Sequence, residues 1–126
     1  MKKLTIDRSK WLCGENCFKS SLLRSSDGKK DCFGFLGLSR GLSESDMSDV
    51  ASLAGIPKAA LLVPEFVALS TGDIVINSDP ARLIMRINDA PLGRSVSGIV
   101  IDSEVVREQL LISEFDKHGI ALTFVD

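Results

Sequence analysis

The segment from residue 102 to residue 125 constrains the fold of this chain most strongly. Ser103 is a candidate N-cap, because its hydroxyl can accept a hydrogen bond from a free backbone N–H in the first turn of a helix. Apolar residues then recur as far as Phe115, and Gly119 follows at a position where helices commonly end. From Ile120 onward larger and smaller side chains alternate, as is typical of a strand. The segment therefore predicts a helix followed directly by a strand.

A second strand is predicted at the other end of the sequence, over residues 2–7, where Leu4 and Ile6 alternate with polar residues. The intervening patterns predict a helix with Asp31 as N-cap, a helix over 43–57 with Ser43 as N-cap, a short strand over 74–76, and a helix with Asp79 as N-cap. Residues 56–73 are expected to be mostly irregular. We therefore predict one α+β domain over residues 1–126, in which a small sheet with both terminal strands packs with three to four helices.

Gly34 and Gly37 weaken the helix that is predicted to begin after Asp31 and indicate close packing against another element.

The composition is that of an ordinary globular domain. Of the 126 residues, 44% are hydrophobic and 25% are charged, and the chain is long enough to bury a sizeable core. The apolar runs are too short to cross a bilayer. The basic start of the sequence is not followed by the apolar stretch of a signal peptide. We therefore expect a cytoplasmic protein.

The cysteines raise the question of a metal or redox site. Cys13, Cys17, Cys32 and the single histidine, His118, offer a formal set of four zinc ligands. However, the Cys13–Cys17 pair has no second paired knuckle, and His118 lies far along the chain at a predicted helix end. A cysteine nucleophile with His118 as its base lacks any third group placed by spacing. We predict no metal, no cofactor and no catalytic residue, and we expect the cysteines to be reduced and to pack as small hydrophobes.

Charge is unevenly distributed along the chain. Residues 1–40 carry nine basic and four acidic residues, a net of +5, whereas residues 41–126 carry six and thirteen, a net of −7. One interpretation is a basic patch for a partner, and the candidate contact residues are Arg8, Lys10, Trp11, Lys19, Arg24, Lys29 and Lys30. The other interpretation is that the two parts pack together and partly neutralise each other.

Three stretches together resemble a known group of proteins: "LTIDRSKW", then "DGKKDCFGFLGLSRG", and much later "RINDAPLG" with "VREQLLISEFDKHGIALTF". This order is similar to that of a loose group of small uncharacterised proteins from bacteriophages and prophages. The matching positions are Ile6, Arg8, Trp11, Asp27, Gly28, Lys29, Cys32, Gly34, Phe35, Ile87, Asn88, Asp89, Arg107, Glu108, Gly119, Ile120 and Phe124. The group tends to have paired cysteines where this chain has Asp31-Cys32-Phe33, a departure that speaks further against a metal site.

The resemblance implies a small phage accessory protein that acts in the cytoplasm of a host cell. It implies no catalytic residue, since many such proteins act by binding host or phage machinery. Our first hypothesis is therefore a non-enzymatic protein that binds a protein partner and inhibits a host process or a defence complex. The second is a nucleic-acid-associated module that uses the basic first third, with Trp11 or Phe18 stacking on bases, although a pI near 5.4 disfavours it. The third is a small protein that binds or sequesters a ligand.

Overall fold

A computed structural model of the protein describes residues 1–16, 20–70, 73–76 and 78–126. In chain order the elements are β1 (Lys2–Asp7), α1 (Cys32–Ser39), α2 (Glu44–Met47), α3 (Ala59–Leu62), β2 (Val67–Ser70), β3 (Asp73–Ile76), α4 (Ser78–Asp89), β4 (Ser95–Val96), β5 (Ile99–Val100), α5 (Glu104–Asp116) and β6 (Ile120–Val125). The fold is α+β, as predicted, with three longer helices and two helices of a single turn in the described part of the chain. Among the described helices, none has the length and apolar character needed to cross a membrane.

The two terminal strands lie side by side and run parallel. Their register begins with Lys2 opposite Ile120 and ends with Asp7 opposite Val125, so the prediction that they share one sheet is confirmed. Parallel strands need a long connection, and here almost the entire chain lies between the two. The helix before β6 is also confirmed, because the hydroxyl of Ser103 accepts from the backbone N–H of Val106 at the start of α5.

The glycines of α1 allow the close packing that the sequence predicts. A Cβ on Gly34 would overlap the backbone carbonyl oxygen of Leu22, and one on Gly37 would lie 2.9 Å from the Cδ1 atom of Leu42. Asp31 caps this helix, since its Oδ1 atom accepts from the backbone N–H of Gly34 at 2.8 Å. Because Gly34 meets the backbone of Leu22, a larger side chain there would require a shift of that segment, whereas at Gly37 the neighbouring atoms are ends of side chains.

The helix predicted over 43–57 ends at Met47, so its length was predicted wrongly. Its start is right, because Ser43 and Asp46 form a reciprocal capping box. Beyond the first turn the chain pairs with an earlier segment instead. The backbone N–H of Asp49 donates to the carbonyl of Leu23 at 2.7 Å, which satisfies the backbone without continuing the helix.

The prediction of mostly irregular structure over 56–73 is wrong for about half of that range, in which residues 71–72 lie outside the described part. Residues of α3 form a helical turn, and β2 pairs with β3 in an antiparallel hairpin whose register begins with Val67 opposite Ile76. Helix α4 begins at Ser78, one residue before the predicted cap at Asp79. Strand β2 was missed because a four-residue strand is defined by its partner more than by its own pattern.

Aromatic rings join the helices to the segment before β2. The ring centroids of Phe33 and Phe66 lie 5.1 Å apart, and those of Phe66 and Phe115 lie 5.7 Å apart. All three rings are buried. This cluster packs α1 and α5 against the segment before β2.

Candidate functional site

Two of the arginines in the predicted basic patch of the first third are paired with carboxylates. Arg8 makes a bidentate pair with Glu108 and also contacts Asp126, and Arg24 pairs with Asp27 and Glu15. Two of these acids lie in the acidic remainder of the chain. The alternative prediction, mutual neutralisation of the two parts, therefore describes Arg8 correctly.

Two other predicted contact residues are corrected by their burial. Trp11 is 7% exposed and Lys30 is 6% exposed, so neither side chain is open to a partner. The Lys30 ammonium lies 5.2 Å from the centre of the Phe35 ring, which gives the buried cation an aromatic neighbour. Lys10 is exposed and Lys29 is half-buried. Lys19 lies outside the described residues.

Trp11 is instead part of a buried polar network centred on Asn88. The indole Nε1–H of Trp11 donates to the Oδ1 atom of Asn88 at 2.9 Å, and the backbone N–H of Cys32 donates to the same oxygen at 3.2 Å. The Asn88 amide nitrogen in turn donates to the carbonyl of Leu12 at 3.1 Å and to the carboxyl of Asp89 at 2.9 Å. One buried amide thus joins the loop after β1, the start of α1 and the end of α4.

Arg107 belongs to the same interior. Its side chain is fully buried, and its Nη1 atom donates to the carbonyls of Ile87 and Asn88 at 2.6 and 3.1 Å. Its remaining nitrogens pair with Glu104. The last carbonyls of a helix have no partner within the helix, so Arg107 acts as a cap that α5 supplies to the end of α4. The "RIND" and "VRE" stretches therefore have a structural role, because they join the end of α4 to α5.

Two acidic side chains meet beside this network. The Ser20 hydroxyl donates to the Oδ2 atom of Asp31 at 3.3 Å. Burial raises the pKa of Asp31 to about 7, with Asp89 adding to the shift, and burial also raises the pKa of Asp89. Because burial and the neighbouring Asp89 both disfavour the charged form of Asp31, the arrangement favours a protonated Asp31 carboxyl. Asp31 is 4% exposed and acts as the cap of α1, whereas Asp89 borders a surface groove.

The two described cysteines are poor nucleophiles. Burial raises the pKa of Cys13 to about 12, and its Sγ atom lies 3.6 Å from a carboxyl oxygen of Glu104. Cys32 is fully buried, and burial likewise raises its pKa. A thiol reacts as its thiolate, which both environments disfavour. Cys17 lies outside the described residues, and within the described ones no three His, Cys, Asp or Glu side chains are grouped to hold a metal ion.

The outer face of α4 and the β4–β5 hairpin enclose a groove with a cavity of about 410 Å³. Its lining includes Arg82, Met85, Arg86, Asp89, Arg94 and Val96, and we call it the arginine groove. All three arginines are exposed, Met85 is half-buried, and Val96 is buried. The groove therefore combines an apolar floor with a cationic border.

The arginines of this groove differ from the other four in the sequence. Arg8, Arg24, Arg40 and Arg107 each form a pair with a carboxylate. Arg82, Arg86 and Arg94 form neither an ion pair nor a hydrogen bond with any residue whose side chain the structure describes. Spacing alone would pair Arg86 with Asp89, three residues later on the helix, but Asp89 turns inward to Asn88. One feature of the sequence did indicate an unpaired arginine. Residues 90–101, which surround Arg94, include no acidic residue.

Comparisons with protein-family models, with curated proteins and with solved structures found no match to this chain. The resemblance to small phage proteins therefore stays a prediction, and the groove itself is the best guide to function.

Proposed function

We propose that this chain is a non-enzymatic accessory protein that binds a protein partner, and that the arginine groove is its contact surface for an acidic part of that partner. The observation that carries the proposal is the presence, around one apolar-floored groove, of three exposed arginines that pair with no described side chain. The partner would be a component of host or phage machinery, as the resemblance of the sequence implies.

The chemistry of the border favours an acidic ligand. A guanidinium presents several N–H donors in a planar fork that matches a carboxylate, and such charge-assisted bonds are about twice as strong as neutral ones. Arg82, Arg86 and Arg94 keep these donors available, because no described side chain accepts from them. Opposite charge on a partner would also accelerate and orient its approach.

The apolar part of the groove favours a protein as the partner. Met85 and Val96 form a surface on which an aliphatic side chain can pack, and methionine adapts its shape readily. The neighbouring hairpin and the turn before it add exposed apolar side chains, since Leu92, Ile99 and Val100 are 57%, 47% and 51% exposed. Exposed apolar area bordered by arginine is characteristic of protein interfaces.

The test compares two charge reversals of equal size. In the groove variant, Arg82, Arg86 and Arg94 are each changed to Glu. In the control variant, Lys3, Lys10 and Lys29 are each changed to Glu, which alters the charge of the first third by the same amount. Tagged proteins capture partners from a host lysate, and the affinity of the partner identified with the wild type is then measured for each variant by calorimetry.

We expect the groove variant to lose roughly 100-fold or more in affinity, since several charge-assisted hydrogen bonds become repulsive contacts, and we expect the control to bind as the wild type does. Loss of binding in the control alone would place the contact surface on the first third and contradict the proposal. Capture of nucleic acid in place of protein would contradict it as well.

A second candidate function is the binding of a small anionic ligand. Its support is the cavity volume of about 410 Å³, which falls in the range of roughly 300–1,000 Å³ typical of ligand pockets. Calorimetric titration with a panel of nucleotides and dicarboxylic acids separates the two functions. Stoichiometric micromolar binding that the groove variant loses would favour the small ligand.

A further inference from the structure

A second groove lies on the other side of two of the same arginines. Its cavity measures about 650 Å³, and its lining includes Arg82, Leu83, Arg86, Glu114, Lys117 and His118. Lys117 is bonded to Glu114 at 2.7 Å, so this cation is largely neutralised. Arg82 and Arg86 line both cavities and therefore form a ridge between them.

The spacing of the ridge specifies what can bind along it. Residues four apart on a helix lie on one face, about 6 Å apart along the axis. In an extended peptide, side chains at positions i and i+2 lie on one face about 6.6 Å apart, and in a helical one positions i and i+4 are about 6 Å apart. Two acidic side chains at either spacing would meet Arg82 and Arg86 together.

We propose that the partner contributes a diacidic segment that lies along α4, with two carboxylates of one face on Arg82 and Arg86 and a neighbouring apolar side chain in the arginine groove. This inference rests on the proposed function and names the chemistry of the partner. Arg94, on the opposite wall, contacts the end of the segment and contributes to affinity without setting the spacing.

The two grooves favour a peptide over a nucleic acid. Asp89 lines the first cavity and Glu114 lines the second, so a ligand can place negative charge only beside the arginines; two separate carboxylates can do this, whereas a continuous chain of phosphates cannot. Base stacking requires aromatic side chains, and His118 alone supplies a ring to the described lining of the two cavities. The His118 ring already packs on Phe66, with centroids 4.9 Å apart.

The experiment selects ligands without assuming the identity of the partner. A random dodecapeptide display library is panned on the immobilised protein, and enriched peptides are resynthesised with a fluorescent label for anisotropy measurements. We expect enriched sequences to carry two acidic residues at i, i+2 or at i, i+4 together with a large apolar residue. Arg82→Ala and Arg86→Ala should each weaken binding about tenfold, and Arg94→Ala should weaken it less.

A charge exchange makes the test specific to the ridge. The variant with both R82E and R86E should reject the acidic peptides and bind versions in which the two acids are replaced by lysines. Enriched peptides without an acidic pair, or acidic pairs that bind the R82E/R86E variant as well as the wild type, would overturn the inference. Tighter binding of a labelled twelve-nucleotide single strand than of any peptide would also overturn it.

The two proposals fail in different ways. If the captured partner is lost in the groove variant while enriched peptides show no acidic pair, the diacidic segment is wrong and the binding surface stands. If the partner binds the groove variant normally, the proposed function itself is wrong.

Discussion

Helix α4 has two polar faces that the fold treats in opposite ways. On the inner side, Asn88 has partners for its amide oxygen and its amide nitrogen, and the buried Arg107 occupies the carbonyls at the helix end. On the outer side, Arg82 and Arg86 have no described partner. A buried polar group without a hydrogen bond destabilises the fold, whereas an exposed one is satisfied by water. The inner face therefore serves stability, and the outer face is free to bind.

The largest expected effect comes from the inner face. We predict that Arg107→Met destabilises the protein by about 3 kcal/mol, because the buried carbonyl of Ile87 loses the Arg107 donor and that of Asn88 keeps only the backbone N–H of Gly14. The matched control is Arg86→Met, which makes the same substitution on the outer face of α4. Urea denaturation followed by circular dichroism measures both, with the slope of the transition checked for constancy.

The comparison between the two faces predicts that Arg86→Met changes the free energy of unfolding by less than about 0.5 kcal/mol. Equal destabilisation by the two variants would break the distinction, since it would give the outer arginine a structural role.

The next effect concerns the pH dependence of stability and the buried Asp31. Its pKa is raised to about 7 in the folded protein from an ordinary value near 3.8, chiefly by burial. The folded state therefore holds a proton that the unfolded state releases, and stability falls as pH rises from about 4 to about 7. Asp31→Asn should remove this loss, because Asn caps a helix equally well and carries no charge.

We predict that Asp31→Asn and the wild type have similar stability at pH 4 and that the variant is more stable above pH 7, by an amount on the order of a few kcal/mol. Denaturation curves at closely spaced pH values measure this difference. Asp27→Asn is a control in which the pH dependence is expected to have the opposite sign. Arg24 lowers the pKa of Asp27 to about 2. The Asp27 carboxylate therefore stabilises the fold at neutral pH and ceases to do so in acid. A pH profile of Asp31→Asn that runs parallel to that of the wild type would show that the buried carboxyl does not titrate as described.

Local signals in the sequence predicted the framework of the fold, and long-range contacts produced the parts that were missed. Ser103 and Asp31 were predicted as caps from neighbouring residues alone, and both cap their helices in the structure. The strand predicted over 74–76 is present as β3, whereas the end of α2 at Met47 and strand β2 were missed because each depends on pairing with another segment.

The candidate site was missed for a related reason. Charge counts along the sequence drew attention to the basic first third, where Arg8 is neutralised by Glu108 a hundred positions away. The same counts did not reveal the arginine groove, because they set the charge of Asp89 against that of Arg86. In the structure the Asp89 side chain is turned into the interior. The sequence shows which charged residues are present, but which of them form ion pairs depends on the fold.

The smallest expected effect on stability, and the sharpest test of that principle, is the removal of the groove arginines. We predict that Arg82→Ala, Arg86→Ala and Arg94→Ala together change the free energy of unfolding by less than about 1 kcal/mol, because no described hydrogen bond or ion pair is lost and alanine favours the helix at 82 and 86. The control is Arg40→Ala. Arg40 pairs with Glu65 at 2.6 Å and donates to the carbonyl of Leu62, and its side chain is only 16% exposed.

We expect Arg40→Ala, a single substitution, to cost about 1–2 kcal/mol and thus more than the three groove substitutions combined. Thermal and urea denaturation of both variants measure the difference, and peptide affinity is determined on the same samples. A triple variant that unfolds more easily than Arg40→Ala would mean that the groove arginines support the fold. A triple variant of unchanged stability that has lost its ligand would mean that these three charges are retained for binding alone.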